Sequence, residues 1–146
     1  MNGPIQGLDR FTTAQNTEGT YERALGELTA GRKQSHWIWF LLPQLQGLGT
    51  SPKAQFFAIS DLTEAEAYVR HPILGARLIE IATVIATSPC ADIEDLMGSS
   101  IDAMKVRSSM TLFEIASPEE PVFARVLARH FENVRDPATL SLLGRT

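Results

Sequence analysis

Apolar residues along the chain recur at spacings of three and four, the period of a helix with one buried face. Tyr21, Ala24, Leu25 and Leu28 repeat in this way between Thr20, a capping residue, and Gly31, which favours a helix end. Leu8, Phe11, Thr12 and Gln15 predict a shorter helix before it. Leu74, Leu78, Ile81, Ala82 and Ile85 form the stripe of the longest predicted helix, Ile73 to Thr87. Asp102 to Ala116 and Val122 to Phe131 are further helices, and shorter ones are predicted at Lys53–Ile59, from Ser60 or Asp61 to Arg70, at Asp92–Met97 and from Asp136-Pro137 to Leu143. Proline and glycine interrupt the pattern often: Ser51-Pro52 supplies a cap and a first turn, while His71-Pro72 and Ser117-Pro118 mark breaks. No useful period-two strand and no internal repeat is present. These signals predict an all-α protein, a compact single-domain orthogonal array of short helices over residues 8–146, with residues 1–7 as a frayed tail.

One stretch departs from plain amphipathicity. Residues 31–49 read GRKQSHWIWFLLPQLQGLG and hold both tryptophans. Ser35 is placed to cap a helix running from His36 until Pro43 ends it, apolar nearly all round and therefore buried. Trp37 and Trp39 lie about 200° apart on a wheel of roughly 100° per residue. One is expected in the core and the other as the wall of a pocket. Unpaired amides at the helix start, with Arg32 and Lys33 beside them, suggest a place for an anion such as a phosphate, and His36 adds an imidazole. The alternative is that both indoles and His36 are core groups.

A second stretch, IDAMKVRSSMTLF at 101–113, sets Asp102, Lys105, Ser108 or Ser109 and Leu112 on one helical stripe. A lysine with two hydroxyls a turn later can bind phosphate or carboxylate, or serve a nucleophile–base pair. The plainer reading is an Asp102–Lys105 surface ion pair, with serines that let helices approach. His71 is read as a helix-end histidine near a C-terminal dipole and His130 as part of a solvated face.

Charge and composition narrow the field. The net charge of −4 disfavours nucleic-acid binding through Arg32, Lys33, Lys53 and Arg107. The longest apolar run, Trp37 to Pro43, is far short of the roughly 20 residues of a membrane span. With one cysteine, Cys90, and no signal-like N-terminus, the expected setting is cytoplasmic. The three histidines are dispersed, so no metal site is expected, and no nucleotide-loop motif or other cofactor signature is present.

The runs GRKQSHWIWFLLPQLQGLG, AEAYVRHPILGARL and KVRSSMTLF closely resemble the bacterial family DUF1810, a domain of unknown function, over nearly the whole chain. The resemblance implies a mainly α-helical fold and carries no established activity. It extends to Lys33, His36, Trp37, Trp39, Gln44, Lys105, Ser108 and Ser109. It departs at Ile101-Asp102-Ala103-Met104, where the family usually has two aspartates and a leucine. The resulting expectation is one pocket in which His36, Lys105 and Ser109 do any chemistry while Lys33, Trp37, Trp39, Gln44 and Ser108 bind the ligand. That ligand is expected to be a small anion with a flat or sugar-like part. Ala14-Gln15, paired with a late acid–lysine–serine helix, is similar to helical proteins that process ADP-ribose conjugates, which suggests a nucleotide or ADP-ribose-like ligand and a hydrolase. The alternative expectation is a non-catalytic interaction module, as monomer or homodimer.

Overall fold

The structure, a computed structural model, describes Gly7 to Arg145. Residues 1–6 of the expected tail lie outside the described residues. Among the described residues the chain forms α1 (Asp9–Asn16), a 3-10 turn (Thr17–Gly19), α2 (Thr20–Thr29), α3 (Ile38–Leu41), α4 (Pro52–Phe56) and α5 (Leu62–Arg70). It continues through α6 (Leu74–Thr87), α7 (Ile93–Met97), α8 (Ser100–Ala116), α9 (Val122–Phe131) and α10 (Pro137–Leu142). Among the described residues there is no strand, only a single parallel bridge between Leu45 and Ile59.

Local chemistry explains most of the helix starts. Ser51, Asp61, Asp92, Ser99 and Asp136 are N-caps whose side chains accept from the amides of Ala54, Glu64, Glu94, Asp102 and Thr139. Each bond satisfies a donor that has no partner inside its helix. Pro52 and Pro137 occupy the first turns of α4 and α10, where the missing N–H costs nothing. Thr20 is not a cap: it is already helical, and its hydroxyl donates to Thr17 O. The longest helix is α8, at 17 residues, rather than α6 at 14.

The core lies where α5, α6, α8 and α9 pack against one another, with α2 on α6 and α7 and α10 on α8. Tyr68, Leu78, Ile85, Met110, Phe113, Phe123 and Leu127 fill it and exclude water, the main source of stability. The Tyr68 and Phe113 rings, 5.3 Å apart, join α5 to α8. α3 is sunk among these helices, with Trp37, Ile38, Leu41 and Leu42 essentially inaccessible.

Two local details position the site. Gly75 sits so close to α5 that an added Cβ would lie 2.0 Å from the carbonyl oxygen of Val69, so only glycine permits this crossing. The predicted helix at Lys53–Ile59 stops at Phe56. Ile59 instead donates to Gln44 O at 2.9 Å and accepts from Gln46 N at 2.8 Å. These bonds hold the 44–49 loop in place beside α8.

Candidate functional site

The segment leading into α3 is built around a carboxylate. Glu27 in α2 accepts from the amides of Gln34 (2.8 Å) and Ser35 (3.0 Å) and from the indole Nε1–H of Trp37 (2.9 Å). The Ser35 hydroxyl donates to it as well. Partial burial works against the charge, but the bonds from the Ser35 hydroxyl, both amides and the indole outweigh it and draw the carboxyl down to about 2. The expected cap and helix start at Ser35-His36 therefore do not form. Trp37, at φ −136° and ψ 4°, is the residue before the first helical turn. The amides reserved in the sequence reading for a phosphate are occupied by the chain's own anion.

Lys33 is likewise committed to the fold. Its side chain is buried, and Nζ lies 2.8 Å from Asp102 Oδ2 and donates to Ser35 O at 2.6 Å. The backbone N–H of Lys33 donates to Leu96 O at 2.7 Å, which ties the segment to the end of α7. Asp102 also faces Lys105, whose Nζ is 3.9 Å from Oδ1. The plain expectation of a surface Asp102–Lys105 pair thus gives way to a triad in which buried Lys33 holds the acid closely. Lys105 is left with donors to spare, and the three charges sum to one positive.

Trp39 is the less buried of the two indoles. Trp37 is fully buried, whereas Trp39 is half-buried and carries two ammonium groups near its ring, Lys53 at 4.9 Å and Lys105 at 5.3 Å from the centroid. Both distances suit cation–π attraction.

A hollow of about 420 Å³ opens between the 44–49 loop, the first turns of α8 and the start of α10. Lys105, Gln44, Ser108 and Asp136 supply its polar groups, and Leu48, Ile101, Met104 and Ala138 its apolar surface. Gln44 Nε2 donates to Ser108 Oγ at 2.6 Å, and Ser108 Oγ donates to Lys105 O at 3.1 Å. Asp136 Oδ2 accepts from the amide (2.9 Å) and hydroxyl (2.6 Å) of Thr139, so this carboxylate serves α10 as its cap.

The predicted residues divide. Gln44, Lys105 and Ser108 meet in this hollow, and Trp39 touches Lys105. His36 is exposed and lines a separate hollow with Lys53, so the expectation that His36 and Lys105 share one pocket is not met. Ser109 lines neither hollow: it is fully buried on the inner side of α8, and its hydroxyl has no hydrogen-bond partner. Lys33 and Trp37 hold the frame beneath. Gln15 is also internal, its amide donating to Phe40 O (2.7 Å) and Tyr68 Oη (3.1 Å) while Arg77 donates to its Oε1 (3.2 Å). That bonding accounts for Gln15 without a ligand.

Sequence reasoning missed Glu27, whose partners lie seven to ten residues away with no local motif to announce them. It also missed the apolar wall. Ile101 and Met104 fall within the stretch Ile101-Asp102-Ala103-Met104, where the chain departs from the family pattern, and that departure was the available signal. His71 stands at the C-terminal end of α5 as its C-cap residue, and in addition its Nδ1 accepts from the amides of Ile73 (3.1 Å) and Leu74 (3.2 Å) at the start of α6. His130 is half-buried, its Nε2 2.8 Å from Ile85 O, rather than on a solvated face. Among the described residues no three histidine, cysteine, aspartate or glutamate side chains gather as metal ligands, and no helix is long and apolar enough to cross a membrane.

Fold and site together define a class: a small all-α protein in which Lys53 and Lys105, each lining a separate hollow, both lie near the Trp39 ring. The chain belongs to the family described as protein of unknown function, DUF1810, whose model matches residues 5–143. It is similar to the crystal structure of a conserved hypothetical protein from Mycobacterium tuberculosis, at 41% identity and a TM-score of 0.90, covering 99% of this chain and 100% of that one. No curated protein matches the chain.

Proposed function

We propose that this protein binds a small anionic molecule with a flat apolar part, of nucleotide or ADP-ribose-like character, in the hollow beside Lys105. The observation that carries the reading is the charge arrangement at its rim. Asp102 is held at 2.8 Å by buried Lys33, and Lys105, at 3.9 Å, keeps N–H donors for an incoming anion. Ile101, Met104 and Leu48 supply contact for a flat body, and Gln44 a directional amide. A pocket that is mostly apolar with a few convergent polar groups is the usual form of a small-molecule site.

Binding is better supported than hydrolysis. A serine nucleophile needs a base within hydrogen-bond reach. The Ser108 proton is engaged with Lys105 O and its oxygen accepts from Gln44, Ser109 is sealed in the core, and His36 lines another hollow. Titration with nucleotides and ADP-ribose, followed by tryptophan fluorescence, tests the proposal through Trp39. A saturable change in the wild type, weakened about tenfold in Lys105→Met, is expected. No change at millimolar ligand would discard it.

A second reading rests on Ile101 and Met104, each 65% exposed on the first turns of α8. Exposed apolar side chains of this size suit contact with a partner protein or a second copy. Light scattering separates the two: a dimer that Met104→Asp converts to monomer would favour association.

A further inference from the structure

The hollow that receives His36 measures about 470 Å³ and lies among α1, the 3-10 turn, α2, α4 and the segment before α3. Arg23, His36 and Lys53 line it, and none of its lining residues is acidic. Behind the lining the Glu27 carboxylate accepts from Ser35, so the two formal cations of the lining, Arg23 and Lys53, stand against one neighbouring anion. Among the described residues the ion pairs are Arg10–Glu64, Lys33–Asp102, Lys105–Asp102 and Arg135–Glu114, so neither Arg23 nor Lys53 has a carboxylate partner. Arg23 donates once, to Glu18 O at 2.9 Å, and Lys53 rests near the Trp39 ring. Both keep donors for a ligand.

The hydroxyls of the same hollow provide the complementary half. Thr17 Oγ1 donates to Thr13 O (2.6 Å), Thr20 Oγ1 to Thr17 O (2.6 Å), and Ser35 Oγ to Glu27. A hydroxyl has one proton, so all three offer only lone pairs to anything that enters. A ligand satisfying them must bring O–H or N–H donors of its own, which a bare inorganic anion lacks. Phe40 and Phe57, with ring centroids 5.2 Å apart, add an apolar face.

We infer that this hollow is a second site, for a small phosphate ester of a hydroxylated ring: a sugar phosphate or a nucleoside phosphate. Phosphoryl oxygens accept from Arg23 and Lys53, and ring hydroxyls donate to Thr17, Thr20 and Ser35. The inference stands apart from the Lys105 hollow and does not need it.

Calorimetric titration of the full chain tests it, with ribose 5-phosphate and adenosine monophosphate as probes and with ribose and inorganic phosphate as controls. The expected result is that both esters bind and that either control alone binds at least about tenfold more weakly. Arg23→Gln and Lys53→Gln each weaken the esters about tenfold, and Lys105→Met changes ribose 5-phosphate affinity by much less than either. Both substituted side chains are exposed, so each folded variant checks the other. Failure of both esters to bind at millimolar concentration overturns the inference. So does ester affinity that Arg23→Gln leaves intact, or inorganic phosphate binding as tightly as the esters. Nucleotide binding lost in Lys105→Met but kept in Arg23→Gln would overturn this site while supporting the other.

Discussion

At Glu27 one carboxylate accepts from two backbone amides, a hydroxyl and an indole, and α3 depends on it for its entry angle. Glu27→Gln is expected to destabilise the protein by about 2 kcal/mol once solvent screening of this partly exposed group is allowed for. Denaturant unfolding followed by tryptophan fluorescence measures it. The carboxyl's folded value is lowered from 4.5 to about 2, so its contribution is fully present above 4.5 and is lost as pH falls through about 2. The acid limb of the wild-type stability curve should therefore flatten in Glu27→Gln. Ser109 poses the opposite case. Its buried hydroxyl has no partner, so Ser109→Ala is expected to leave stability unchanged or raise it by up to about 1 kcal/mol. Ser108→Ala, which strips Gln44 of its acceptor, should lower stability by about 1 kcal/mol. Adjacent serines that read alike in sequence are thus separated by a single thermal-melt comparison.

Between α5 and α6 the chain turns through His71-Pro72 with two constraints. His71→Ala should cost about 1 kcal/mol by leaving two amides of the α6 start without their ring acceptor, and His71→Asn should recover part of it. Gly75→Ala should cost about 3 kcal/mol or more, since the new methyl meets a backbone carbonyl that cannot swing aside. Gly26→Ala in α2, where nothing lies within 4 Å of an added Cβ, is the matched control and should stabilise by about 0.5 to 1 kcal/mol. Both are read from thermal midpoints. At this scale the sequence was informative where local chemistry decides. The caps at Ser51, Asp61, Ser99 and Asp136 and the whole of α9 follow from short-range pattern. It misled where a distant group decides: Glu27 takes the amides that would have started a helix at Ser35, and the Ile59 bridge to the 44–49 loop cuts α4 short.

For the molecule as a whole, the all-α class and its short-helix packing were legible because proline, glycine and capping residues punctuate apolar stripes of helical period. Half of the candidate site was legible for the same reason, since Lys105 and Ser108 share a face of one helix. The remainder was not. Whether Lys33 stands free or is spent on Asp102 depends on a pairing across 69 positions of sequence that no periodicity encodes. The packing of α9 against α6, which buries His130, sets a pH response. Burial lowers the His130 imidazole below 6.5, with Arg129 adding to the effect and the bond to Ile85 O opposing it. The unfolded chain then takes up the proton first as pH falls below 6.5, so stability is present above that value and declines beneath it. Thermal midpoints measured from neutral pH down to about pH 5 should fall in the wild type and fall less in His130→Gln.

The indole at position 39 has both Lys53 and Lys105 near its ring, and each of these lysines lines a different hollow. If each hollow takes an anion as proposed, one that draws an ammonium away from the ring leaves the ring to the other lysine, so occupancy on one side alters the free energy of filling the other. Linkage requires the factor to be the same in both directions. Heterotropic cooperativity thus needs no helix to move, only a shift in which cation the ring holds, and Trp39→Leu should abolish it while leaving each ligand able to bind alone.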